Sequence, residues 1–325
     1  MKTAGECGCA FLTSLMSRKS AVLVLAIATM VALTIGSSTS WADLTHRYSF
    51  STDVAPGGTT ADTGSVGGAD GLLRNVADVS GGVLRMNNPN FSGSAFAGGH
   101  LSLPPSILPS SGSVTIQQWF TFTGSGFFTE AWTFTDHNND LGSPETVSNP
   151  PGAAVGQYFM HTISNPQGGP VPAGGGSSVV QTLAGYGGGA ESRAFGTTPG
   201  IGAGGGGYLD DGVAYMATTV VDAGAGTLSY YVYRVSDGVG GLQHTIPAIP
   251  LSSYSFTNAY LGRSAFPPDN WTSGTVDEFR IFNEVRSGAQ IARDYRAGPG
   301  VVVPEPAALA LAVAALGLLV AARRR

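Results

Sequence analysis

An all-β domain of two packed antiparallel sheets is what this sequence predicts, and three observations predict it. Glycine is abundant, 48 of 325 residues, while charged residues make up only 11%. That composition suits many short strands joined by tight turns better than a helical bundle. Through the middle of the chain, apolar and polar residues alternate with a period of two, the pattern of half-buried strands. Long unbroken apolar runs occur only at the two ends.

The ends read as processing segments. Arg18 and Lys19 precede the apolar stretch Ala21 to Ile35, and Ser40 and Ala42 then provide small residues at −3 and −1 of a cleavage site. This is the layout of a secretory signal helix, residues 1–42, removed by signal peptidase after Ala42. Met1 or Met16 is the start, since Met16-Ser-Arg-Lys makes a compact basic region by itself. An uncleaved membrane helix is the alternative, although fifteen residues fall short of a full span. Cys7 and Cys9 are the only cysteines and leave with this segment, so the mature domain has no disulfide.

At the other end, residues 301–325 place Pro304, Glu305 and Pro306 before an uncharged run from Ala307 to Ala322, followed by three arginines. Sixteen helical residues rise about 24 Å against a hydrocarbon core of about 30 Å, so this C-terminal transmembrane helix is a marginal span. The arginines hold it on the cytoplasmic side. The order of the three parts resembles the PEP-CTERM sorting signal. That resemblance implies recognition by an exosortase-type transpeptidase near Pro304-Glu305-Pro306 and transfer to the cell surface or exopolysaccharide.

Between them lie 258 residues, Asp43 to Gly300, a size that suits one large β-domain. They carry 19 acidic residues, 10 arginines and no lysine. Phosphate neutralisation by Lys and Arg dominates nucleic-acid affinity, so this balance argues against a nucleic-acid partner. Strands are predicted at Leu44 to Phe50, with Leu44, His46, Tyr48 and Phe50 on one face, and at Ser113 to Phe122. Further strands follow at Trp132 to Thr135, Ala259 to Gly262 and Thr275 to Phe282. Val213 to Val221 and Thr227 to Val235 flank Asp222-Ala-Gly-Ala-Gly226, a hairpin loop. One helix is predicted, opened by the capping box Ser287-Gly-Ala-Gln290. The glycine-rich stretch 165–208 reads as a low-complexity insertion on the rim, holding one or two short strands such as Ser178 to Leu183.

Several of these strands carry recognisable motifs. Leu44-Thr-His-Arg-Tyr-Ser-Phe50 looks like an opening strand, and Ser113-Val-Thr-Ile-Gln-Gln-Trp-Phe120 has Gln117 where glutamate is usual. Tyr260-Leu-Gly-Arg-Ser264 and Thr275-Val-Asp-Glu-Phe-Arg-Ile-Phe-Asn283 form a closing pair ahead of a short helix. Together they resemble the laminin-G-like, concanavalin A-like family. The resemblance implies a two-sheet antiparallel jelly-roll sandwich and brackets nearly the whole mature chain.

Candidate sites are few. Asp136, Asn138 and Asp140 put oxygens at alternate positions, as a calcium loop does, but Leu141 and Val147 occupy the positions where an EF-hand needs Gly and Glu. Calcium there, or a solvated Asx-rich turn, are the two readings. Trp271 sits in a loop where an exposed ring could stack on a sugar, although burial tendencies favour packing; Trp119 and Trp132 read as core. Glu130 and Asp136 come nearest to a glycosidase carboxylate pair, but their spacing is wrong and Asp136 runs off the strand into a loop. Asp210-Asp211 reads as a turn. The five histidines are scattered without metal-ligand spacing, and no G-x-S-x-G or cysteine nucleophile remains in the mature chain. The expectation is an exported, non-catalytic surface or matrix module that binds a polysaccharide. A purely structural matrix protein and a carbohydrate-active enzyme are the rivals.

Overall fold

The computed structural model describes residues 44–88, 98–123, 129–136, 156–165, 176–183, 191–196, 209–266, 269 and 271–303. All strands and the one described helix fall within the compact unit Asp43–Val302. Two eight-stranded sheets form it, every strand pair antiparallel. Among the described residues no helix is long and apolar enough to cross a membrane, and the apolar runs at both ends lie outside those residues.

The first sheet runs β14 (Gly240–Pro247), β13 (Thr227–Arg234), β12 (Ala214–Asp222), β7 (Val114–Phe122), β16 (Gly274–Phe282), β5 (Val83–Met86) and β4 (Asp78–Ser80). The opening strand β1 (Leu44–Tyr48) pairs with the far half of β16. The second sheet runs β11 (Glu191–Phe195), β10 (Gly176–Thr182), β9 (Tyr158–Asn165), β8 (Thr129–Thr135), β15 (Asn258–Leu261), β6 (His100–Leu103), β3 (Gly71–Arg74) and β2 (Thr59–Thr60). Their inner faces share one core, in which Ile116, Phe120 and Phe279 of the first sheet meet Trp132, Phe134 and Phe159 of the second. Burying large apolar side chains on both inner faces is what holds two such layers together.

Alternation explains the strands but not the full burial of β7. Val114, Ile116, Phe120 and Phe122 enter the core, and Gln118 reaches across to the Ala131 carbonyl. Thr115, Gln117 and Trp119 point the other way yet are buried too: α1 (Gly288–Ala297) lies over Gln117 and Trp119, and Thr115 is bonded to Glu284 and Arg286 just before it. Ser287 caps this helix in the predicted capping box: its hydroxyl accepts from the Gln290 N–H, and the Gln290 side chain accepts from the Ser287 N–H.

The predicted strands are present with shifts of a residue or two at most ends. β1 stops at Tyr48 because Phe50 takes a left-handed φ of +51°, while its ring stays in the core. The glycine-rich stretch supplies two short strands, β10 and β11, which extend one side of the second sheet. Residues 166–175, 184–190 and 197–208 lie outside the described residues.

Candidate functional site

The second sheet has an outer face that is unusually polar for its burial. Cross-strand register sets Glu130 of β8 against Thr162 of β9, and Thr162 against Ser178 of β10, in one row across three strands. Strands lie about 4.8 Å apart, so the row spans about 10 Å. Thr133 and Tyr260 form a second pair on this face, and Thr135 with Tyr158 a third. Glu130, Thr133 and Ser178 are wholly buried, and Thr129 and Thr162 nearly so.

Residues on the described parts of the chain after β15, Ala265 and Phe266 above all, cover part of this face. Gly262 ends β15 at φ +83°, where a Cβ would collide with Met86, so only glycine turns the chain cleanly here. Ala265 and Phe266 then pack on Tyr158, Met160 and Val180, with the Tyr158 and Phe266 ring centroids 5.2 Å apart. The Ser264 hydroxyl accepts from the Phe266 N–H at 3.0 Å and donates to Asp269 at 2.5 Å. Thr272 returns to the sheet, its hydroxyl donating to the Glu130 carbonyl at 2.6 Å. Glu130 and Asp269 are thereby brought into electrostatic contact from distant parts of the chain.

Burial, and then the Asp269 charge, push the Glu130 carboxyl well above the ordinary carboxylate range; the nearby Ser264 hydroxyl opposes this. Burial raises Asp269 to about 7, again against the Ser264 hydrogen bond. Among the described residues, Glu130 is the buried carboxyl with neither oxygen in a hydrogen bond of ordinary length, the Ser264 hydroxyl being its nearby donor. The hydroxyls of Thr129, Thr133, Thr162 and Ser178 also lack partners. Unpartnered single atoms occur elsewhere, for example Gln117 Oε1, Trp119 Nε1 and Arg280 Nη1, but the Glu130 carboxyl has both of its oxygens among them. Buried polar groups are paired in the great majority of cases, so a carboxyl and several hydroxyls left open on one sheet face call for a ligand or a proton.

Trp271 is only 9% exposed, its ring 5.4 Å from His100 and beneath the Arg263 guanidinium at 5.1 Å. A Cβ on Gly98 would strike the indole, so the ring is a packing residue on this face rather than an open platform. Trp119 and Trp132 are buried, as read. Asp136 ends β8 and clasps the start of β9: its carboxylate accepts from the Gln157 N–H at 2.9 Å, and its carbonyl accepts from Thr257. Asn138 and Asp140 lie outside the described residues, as do Ala42, Pro304, Glu305 and Pro306. No three of His, Cys, Asp or Glu gather into a metal cluster among the described residues. Glu130, which the sequence could pair only with Asp136, has Asp269 as its companion instead. No local motif announces that pair, because its members sit on separate elements.

No family model matches the chain, and no curated protein matches it. Solved structures do resemble it, at low identity. Domain 4 of AbnA, a GH43 extracellular arabinanase from Geobacillus stearothermophilus in complex with arabinotriose, is 14% identical, with TM-score 0.44, covering 77% of this chain and 97% of its own. The CBM40 of Ruminococcus gnavus IT-sialidase, bound to α2,3-sialyllactose, is 12% identical, with TM-score 0.37, covering 56% and 82%. The binding domain of botulinum neurotoxin DC, in complex with rat synaptotagmin II, is 14% identical, with TM-score 0.44, covering 75% and 50%.

Proposed function

We propose that this chain is an exported surface protein whose sandwich binds a carbohydrate polymer, without cleaving it, on the outer face of the second sheet. The row Glu130–Thr162–Ser178 carries this reading. Its open carboxyl and hydroxyl groups are buried and lack partners, and a ligand rich in hydroxyls supplies both donors and acceptors to match them. Because Ala265 and Phe266 cover part of the face, entry of a polymer requires their segment to be displaced. The sandwich itself is read as the laminin-G-like, concanavalin A-like jelly roll that the strand motifs resemble. The ends are read as a signal peptide cut after Ala42 and an exosortase-type sorting tail at Pro304 to Pro306. Calcium at Asp136, Asn138 and Asp140 is an optional part of the reading, separate from the Glu130 face.

Titrating the full chain in detergent against a panel of polysaccharides, with and without EDTA, tests the binding. Saturable binding is expected, and EDTA sensitivity adds the calcium loop. A flat response across the panel leaves a structural matrix protein, and release of reducing ends makes it a carbohydrate-active enzyme. Mass spectrometry of the mature protein tests the sorting. The expected species starts at Asp43 and lacks the three terminal arginines; one that keeps them is membrane-anchored.

A further inference from the structure

The open groups on the Glu130 face also specify what kind of carbohydrate fits. Resting on the binding reading above, we propose that Glu130 acts as a neutral carboxylic acid that donates a hydrogen bond to an uncharged polyhydroxy ligand. A carboxylate accepts only, whereas a protonated carboxyl both donates and accepts. The hydroxyls beside it on Thr129, Thr133, Thr162 and Ser178 do both as well. Such a face matches sugar hydroxyls, and the two acids Glu130 and Asp269 disfavour a sugar carboxylate beside them. Arg263 lies over the rings of Tyr260 and Trp271 at 4.9 and 5.1 Å.

The surroundings keep Glu130 neutral. Asp269, held by Ser264, adds a second acid to the same buried space, and two ionised carboxyls there would repel in a medium where charge is poorly screened. The other ionisable groups on elements packed around this face are Arg263 on the covering segment, His100 on β6, Tyr260 on β15, Tyr158 on β9 and Arg193 on β11. His100 and Arg263 approach each other, Nε2 to Nη1 at 3.4 Å. Neither they nor Arg193 count among the groups that shift Glu130, whereas Asp269 does.

Calorimetric titration of the full chain with neutral cello-, xylo- and manno-oligosaccharides and with galacturonate and alginate oligosaccharides, from mildly acid to mildly alkaline pH, tests this. Binding of a neutral sugar is expected to hold in acid and then to fall by about tenfold per pH unit once Glu130 ionises. Glu130→Gln, uncharged and still a donor, should bind within about threefold of the native protein in acid and show no such fall. Asp269→Asn should move the fall to lower pH, because the Asp269 charge is one of the causes that raise Glu130. Infrared difference spectra should show a protonated carboxyl band that Glu130→Gln lacks. Binding that is flat with pH, a fall with rising pH unchanged in a folded Glu130→Gln, loss of binding in that variant, or a preference for the uronate ligands would overturn the role of Glu130 alone. No binding of any sugar at any pH would overturn the carbohydrate reading and this inference with it.

Discussion

Two buried glutamates, one on the outer face of each sheet, meet opposite fates. Glu278 of β16 accepts from Arg47 Nε at 2.6 Å and Arg280 Nε at 2.5 Å, and from the Gly300 N–H. Burial pushes its carboxyl up, but the two arginines and the backbone N–H outweigh that and hold it below the usual carboxylate range. Arg280, which burial pushes down, lies over the Trp119 ring at 4.5 Å and donates to the Val301 carbonyl. The network ties the first and last strands of the sheet to the chain beyond α1. Glu130 is as deeply buried, yet it faces hydroxyls and another acid, and its carboxyl moves the other way. A buried charge with its partners in place serves the fold; one without them is costly to the fold and points to binding.

Removing the partnered acid should have the largest effect. Glu278→Ala leaves Arg280 buried beside Arg47 with no carboxylate between them and should cost about 3–5 kcal/mol in urea denaturation. If Glu278→Ala proves no worse than Glu130→Ala, the contrast between the faces is wrong.

Acid is the next lever, and it acts inside the core. His161 is buried between the sheets, its Nε2 2.8 Å from the Tyr230 hydroxyl, and burial lowers it from 6.5 to about 3. The unfolded chain takes up that proton first as pH falls. This contribution is therefore complete above 6.5 and lost at up to about 1.4 kcal/mol per pH unit toward 3. Denaturation midpoints followed from pH 6.5 to 4.5 should show that slope in the native protein and lose it in His161→Phe.

A smaller effect tests how the first face is covered. Ser287→Ala removes the cap of α1 and should cost about 1 kcal/mol, read as a lowered thermal midpoint. Near-UV circular dichroism should report the change around Trp119, which α1 helps bury, and leave Trp271 unaffected.

The last comparison turns on sign more than size. Glu130 sits above its unfolded value of 4.5, so the native protein loses stability from this group as pH rises through and beyond that value. Glu130→Gln should therefore gain stability relative to the native protein at neutral and alkaline pH and show no gain in acid. Parallel denaturation series of the two proteins check this; a loss at every pH would mean Glu130 is a structural residue like Glu278.

Local chemistry made some of this legible in advance. Ser113 to Phe122 alternates along β7, the glycine-bearing loop after Asp222 turns β12 into β13, and Ser287 and Gln290 cap α1, because each device acts within a few residues of itself. The glycine-rich stretch was harder to read. Val179 and Val180 of β10 carry the strand signal, but the surrounding glycines hide that β10 and β11 extend the second sheet. Trp271 could be read as exposed or buried, because its neighbours Gly98, His100 and Arg263 come from other parts of the chain.

By itself the sequence determined the all-β class and where many of the strands and the capped helix lie, since hydropathy period, turn residues and caps are properties of neighbours along the chain. Only the tertiary structure decided which acid became a clamp and which was left open. Arg280 stands two residues from Glu278 in the sequence, but Arg47 and the Gly300 N–H, like Asp269 beside Glu130, come from distant parts of the chain. Their protonation depends on charges and hydroxyls delivered by cross-strand register and by a returning loop, and that information exists only once the sheets are formed.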